Sequence, residues 1–230
     1  MKELEARDTG WEAAVVDMQM TLRNASGEES ERQLTVKLLE VEGDGDKTLT
    51  QFKSPRDIRN TAFLSYSHAV VPDDQWIYMP AIKRVKRINS ANKSGPFMGS
   101  ELAYEDISSF ELEKYSYRYI GEEPADGVDC YVVELTPLYE YTGYSTMTYW
   151  VDKSRFVPIK IEYYDRSKSL LKTQHFAGYR QYNNQFWRPA ESQIHNHQTD
   201  RATFLQWSEF DFDVELSDAH FSTVGLTRSR

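Results

Sequence analysis

The chain has 230 residues and a formal net charge of -9, with 27 Lys and Arg against 36 Asp and Glu. That balance excludes a dedicated nucleic-acid binder, which needs a dominant basic face. The lone Cys130 permits no internal disulfide, and no apolar run reaches the roughly 20 residues of a membrane-spanning helix. Aromatic residues make up 13%, 15 of them Tyr, which favours strands over helices. The opening Met1–Asp8 lacks the apolar core of an export signal, which leaves a cytoplasmic protein or the mature part of an exported one.

In chain order, residues 1–11 predict one short helix. Val16, Met18, Met20 and Leu22 alternate with Asp17, Gln19 and Thr21, the period of a half-buried strand. A turn at 24–27 leads to a second strand over 32–41. Gly43-Asp44-Gly45-Asp46 is a hairpin signal, followed by a strand over 47–53. Ser54 to Ile58 predicts a capped helical turn, then a strand over 61–67. Beyond residue 113 the strand signals resume at 114–120, 128–136, 145–151, 158–164, 171–182, 186–197 and 201–212, with turn residues between them. A short closing helix is expected over 218–226. Strands at this spacing predict a meandering antiparallel sheet in a single domain, 1–230, curled toward a barrel.

The stretch from Trp76 to Asp106 stands apart. It starts as a strand, packs Lys83, Arg84, Lys86, Arg87 and Lys93 into eleven residues, and continues into Ser94-Gly95-Pro96 with Phe97 and Met98 at the loop tip. Long loops with apolar tips are more often binding segments than connectors, so Phe97 and Met98 are expected to act as a lid hinged at Gly95 and Gly99. Glu101, Glu105 and Asp106 are expected to pair with the basic cluster across the loop, and the Glu105-Asp106 pair suits the start of a helical turn. A curled sheet must fill its hollow with its own side chains or with a ligand, and periodicity leaves both outcomes open.

Several residue groups together resemble the LolA-like outer-membrane lipoprotein-sorting family. They are Phe52-Lys53-Ser54-Pro55, Trp76-Ile77-Tyr78-Met79-Pro80, the basic run Lys83 to Ile88, Gly99-Ser100 before Tyr104-Glu105-Asp106, Trp150-Val151-Asp152 followed by Pro158, and Phe186-Trp187-Arg188-Pro189. The resemblance implies a half-open antiparallel β-barrel of about ten or eleven strands, covered by short helices and loops. It also implies a periplasmic location, an apolar cavity for the acyl chains of a lipid or lipoprotein, and no catalytic residues or cofactor.

On this reading Val16, Met18, Met20, Leu22, Trp76, Tyr78, Met79, Phe97 and Met98 are the expected cavity or lid residues, since thioethers and aromatics adapt to irregular chains. Lys83, Arg84, Lys86 and Arg87 are the expected contacts to headgroups or to a partner protein, with peripheral membrane contact and a monomeric state. The alternative is a sensor or adaptor module that binds a membrane-protein partner, such as an envelope exporter, without transporting lipid. His195 and His197 point to one strand face and could hold a metal with His175 or Glu191, but no Cys pair or second motif accompanies them, and no metal site is assigned. No nucleophile elbow, phosphate-binding loop or dinucleotide fingerprint occurs.

Overall fold

The alternating runs emerge as fifteen strands in a computed structural model that describes residues 1–226. A short helix α1 (Lys2–Ala6) precedes β1 (Ala13–Arg23), β2 (Glu29–Leu39), β3 (Lys47–Ser54), β4 (Ala62–Tyr66), β5 (Asp74–Met79) and β6 (Arg84–Arg87). After a segment of 3-10 turns come β7 (Tyr115–Ala125), β8 (Val128–Pro137), β9 (Tyr144–Asp152), β10 (Pro158–Asp165) and β11 (Leu170–Ala177). The chain closes with β12 (Arg180–Tyr182), β13 (Phe186–Arg188), β14 (Glu191–Asn196), β15 (Arg201–Trp207) and a four-residue helix α2 (Thr223–Leu226).

Thirteen strands form one antiparallel sheet in the order β6-β5-β4-β3-β2-β1-β15-β14-β11-β10-β9-β8-β7. Edge strands β6 and β7 do not pair with each other, so the sheet is an open half-barrel. The predicted ten or eleven strands become thirteen because β5 and β6, part of the stretch set apart in the sequence, continue the meander as an edge hairpin. The expected strand over 171–182 breaks at Gly178, whose φ of +65° favours glycine, and that over 186–197 breaks at Pro189. The freed pieces β12 and β13 pair as a separate ribbon. It turns through a three-residue loop, 183–185, with Asn183 and Asn184 at positive φ and the Gln185 amide donating to the Tyr182 carbonyl at 2.9 Å. Residues 55–60 form consecutive turns and no helix.

Alternation then decides what each strand buries. On the inner face Met20, Leu22, Leu34, Phe52, Phe63, Ile77, Ile194 and Leu205 form one buried cluster. Farther along the same face lie Leu135, Met147, Ile161 and Tyr163. Residues 88–114 run across this face and cover it, with α1 beside them, where Glu5 Oε1 accepts from the Leu112 amide at 3.2 Å. On the outer face Leu49, Ala62, Leu64, Trp76 and Tyr78 pack beneath Phe221 and Leu226 of the C-terminal segment.

The covering segment is bonded to the sheet at many points. Gln75 Nε2 donates to the Tyr104 carbonyl at 2.9 Å, the Glu101 amide to Thr203 Oγ1 at 2.9 Å, and Arg201 Nη2 to the Gly99 carbonyl at 2.7 Å. At the other end the Asp46 amide donates to Ser109 Oγ and the Ser109 amide to Ser67 Oγ. Burial, with Glu111 and Glu40 nearby, pushes the Asp46 carboxyl up to about 7 from 3.8. A carboxyl raised in the folded state binds more protons there than in the unfolded chain, so stability falls as pH rises from about 4 to about 7. Asp46→Asn is expected to flatten that slope, raising the thermal midpoint at pH 8 and leaving it nearly unchanged at pH 4. Equal shifts at both pH values would show that Asp46 is not the titrating group.

Candidate functional site

Two different things happen beneath the covering segment. Over β1–β5 the hollow is filled by the protein itself. Phe97, 2% exposed, enters the core with its ring centroid 5.1 Å from that of Phe63, 5.7 Å from Tyr104 and 5.9 Å from Phe52. Leu102 and Ile107 join it, and Met98 packs half-buried beside them, its carbonyl accepting from Arg32 Nη1. Over β7–β10 the same segment leaves a cavity of about 380 Å³.

Tyrosines dominate the walls of that cavity. Tyr115, Tyr144, Tyr149 and Tyr163 come from the sheet, Tyr139 from the β8–β9 turn, and Phe110 from the cover, stacked on Tyr115 at 5.6 Å. Burial pushes the phenols of Tyr115, Tyr144, Tyr149 and Tyr163 well above their ordinary value, so they stay neutral. At the mouth stand Val70, Val71, Leu138 and Tyr141, all exposed, Val70 at 84%.

A charged seam fixes the cover against this wall. Asp106 and Lys172 form an ion pair at 2.5 Å, their side chains 5% and 4% exposed. Asp106 also accepts from the Tyr144 hydroxyl at 2.7 Å and from the Ala103 amide at 2.6 Å, the capping contact its place in a turn suggested. Glu105 accepts from Tyr139 OH, Thr142 Oγ1 and the Gly143 amide at 3.0, 2.8 and 2.8 Å. Burial, reinforced by Asp106, still pushes the Glu105 carboxyl up from the usual carboxylate range. A Cβ on Gly143 would meet Ser94 Cβ at 3.0 Å and Glu105 Oε1 at 3.1 Å, so glycine permits this close approach. Lys114 pairs with Asp73 at 2.6 Å, and Lys93 lies over the Tyr139 ring at 3.9 Å.

The residues singled out in the sequence fall into three places. Val16, Met18, Met20 and Leu22 share the inner face; Met18, Met20 and Leu22 belong with Phe97 and Met98 to the cluster that fills one half of it, and Val16 is buried farther along β1. Trp76 and Tyr78 lie on the outer face under the C-terminal segment, because the alternation that turns Ile77 inward turns them outward; Met79 shares the parity of Ile77. The structure therefore does not bring Trp76 and Tyr78 together with Phe97. Arg84, Lys86 and Arg87 stand exposed on edge strand β6, with Lys83 at the turn before it and Arg87 paired to Asp74.

The acids of the loop do not pair with that cluster as expected. Glu101 pairs with Arg201 at 3.2 Å and Asp106 with Lys172, because the segment lies over the middle of the sheet and not over its basic edge. His195 is hydrogen-bonded to Asp200, His197 to Thr173 and His175 to Asp126. The tyrosine wall was not singled out in the sequence. Its signal was the tyrosine count and the Tyr139, Tyr141, Tyr144 spacing around one turn.

With this geometry in hand, comparison with known proteins is informative. A family model described as an uncharacterized protein matches residues 44–228. A DUF1329 family protein of Desulfovibrio piger superposes with a TM-score of 0.93 at 29% identity, over 98% of this chain and 95% of that one. A Vibrio parahaemolyticus domain named for outer membrane lipoprotein sorting is 49% identical, with a TM-score of 0.97 over 99% of this chain and 96% of its own. The chain belongs to the LolA-like DUF1329 family. A LolA superfamily protein of Nitrosomonas europaea, 20% identical with a TM-score of 0.76 over 97% of both chains, shares the fold of this LolA-like protein. Curated proteins include no match to it. Among the described residues of this LolA-like chain, no helix is long and apolar enough to cross a membrane.

Proposed function

We propose that the protein is a periplasmic carrier that holds an acyl chain of a lipid or lipoprotein in the tyrosine-walled cavity between residues 88–114 and strands β7–β10. The observation that carries this reading is the cavity itself: about 380 Å³, open at a rim of exposed Val70, Val71, Leu138 and Tyr141. That volume falls within the roughly 300–1,000 Å³ of small-molecule sites, and clustered exposed apolar side chains mark a place where an apolar ligand enters or a membrane is touched. Each methylene moved from water into such a site contributes about 0.8 kcal/mol, so a ten-methylene stretch contributes on the order of 8 kcal/mol. The relatives named for lipoprotein sorting and for the LolA superfamily support the carrier reading.

In this account the inner-face residues Val16, Met18, Met20 and Leu22 are the apolar floor a longer chain reaches when the cover lifts, and Phe97 and Met98 are the apolar underside of that cover. The exposed cations of β6 serve headgroup contact, each contributing about 1 kcal/mol beside an anionic surface. Arg87 sits at the end of β6 nearer the mouth, since it faces Trp76 and pairs with Asp74.

The test is organic extraction of the purified protein with mass spectrometry of the extract, followed by titration with a fluorescent fatty acid. Micromolar uptake is expected. Ser90→Trp, which places an indole at the cavity wall, should weaken uptake at least about tenfold while the melting temperature holds. An extract without lipid, together with no uptake by the delipidated protein, would end the carrier reading.

A further inference from the structure

Three lysines line or border the cavity, and two of them have carboxylate partners: Lys114 with Asp73 and Lys172 with Asp106. Lys93 does not. It is 8% exposed, lines the cavity, and its ammonium has no hydrogen-bond acceptor among the described residues; it rests over the face of Tyr139. Asp73 and then Glu105 act on Lys93 through space, yet Asp73 accepts from Lys114 Nζ and Ser108 Oγ, and the Glu105 oxygens are taken by Tyr139 OH, Thr142 Oγ1 and the Gly143 amide. A buried ammonium without an acceptor is costly, and a ring face compensates only part of that cost.

The backbone holds Lys93 in this position by design of the covering segment. Its amide donates to the Ser90 carbonyl, and its own carbonyl accepts from the Glu105 amide at 2.9 Å. The ammonium is thus fixed on the underside of the cover, facing a wall of neutral tyrosines. Of the other acids lining the cavity, Asp73 and Asp106 are matched by Lys114 and Lys172 and Glu140 stands exposed at the rim, which leaves Lys93 as the buried cation available to an incoming group.

We propose that Lys93 is the anion anchor of this cavity, so that its preferred occupant is an acyl chain carrying a carboxylate or phosphate at one end, in preference to a neutral ester or amide. The inference rests on the carrier reading above and narrows its ligand class. Such an end group gives the ammonium the acceptor it lacks, while the tyrosine wall takes the chain. Burial already lowers the pKa of Lys93, and an anionic partner would raise it again.

The experiment compares three probes of one chain length, hexadecanoic acid, hexadecyl phosphate and hexadecanol, by isothermal titration at pH 7.5 on the wild type, Lys93→Met and Lys93→Arg, with inorganic phosphate as a fourth probe. Charged hydrogen bonds make a roughly tenfold to hundredfold preference for the two anionic probes over the alcohol the expected wild-type result. Lys93→Met should shrink that preference to about threefold or less, with Lys93→Arg retaining most of it. Equal wild-type affinity for acid and alcohol overturns the anchor and leaves the carrier reading standing. Binding of inorganic phosphate as tight as hexadecyl phosphate overturns the amphiphile and marks a simple anion site. Failure of every chain to bind overturns both readings at once.

Discussion

Asp106→Ala is expected to cost about 3–5 kcal/mol of unfolding free energy, because it leaves the Lys172 ammonium without a counter-charge, with only the Glu101 carbonyl as acceptor, in a site where both side chains are nearly inaccessible. The loss extends beyond the ion pair, since the Tyr144 hydroxyl and the Ala103 amide lose their acceptor as well. Asp106→Asn keeps an oxygen for one of these donors and is expected to lose less. Urea denaturation of both variants at pH 7 measures the difference. Hydrogen exchange would show faster opening across residues 97–107, the part of the cover that Asp106 ties to β11. An Asp106→Ala loss below about 1 kcal/mol would mean that the seam is solvated and does not hold the cover.

Phe97→Ala is the second large effect, at about 3–5 kcal/mol, the range for removing a buried aromatic ring. The ring sits among Phe52, Phe63 and Tyr104, and the sheet beneath it is too constrained by strand pairing to collapse into the space. Its neighbour Met98 is half-buried at the edge of the same cluster, so Met98→Ala is expected to cost well under half as much. A thermal scan of both variants decides the point. Equal shifts would place Phe97 outside the core. The comparison also separates two roles for the loop tip: Phe97 holds the cover down, while Met98 is free to adapt.

Much of the architecture was legible before any coordinates. The alternation in Val16 to Leu22 marks β1 and its inner-face residues, and Gly43 to Asp46 marks the turn between β2 and β3. The central stretch stands out through its basic run and its Phe97-Met98 tip; its first part forms edge strands β5 and β6, and its second part becomes the cover. Its residues carry the likeness that family membership then bears out. Less legible was where the empty space lies. Phe97 looks like a mobile tip in sequence because a short apolar run beside glycines has no periodicity to show what it packs against. Its partners Phe52 and Phe63 are more than thirty residues away.

Local pattern determined that this chain is a β meander with two unlike faces, since side-chain alternation and turn chemistry act within a few residues. Tertiary structure alone decided that Trp76 and Tyr78 look outward to Phe221 and Leu226, that Asp106 meets Lys172 across 66 positions, and that Lys93 is left facing tyrosine. Alternation assigns residues to one face or the other, but which face is covered, and by which distant segment, depends on contacts that only the closed-up chain makes.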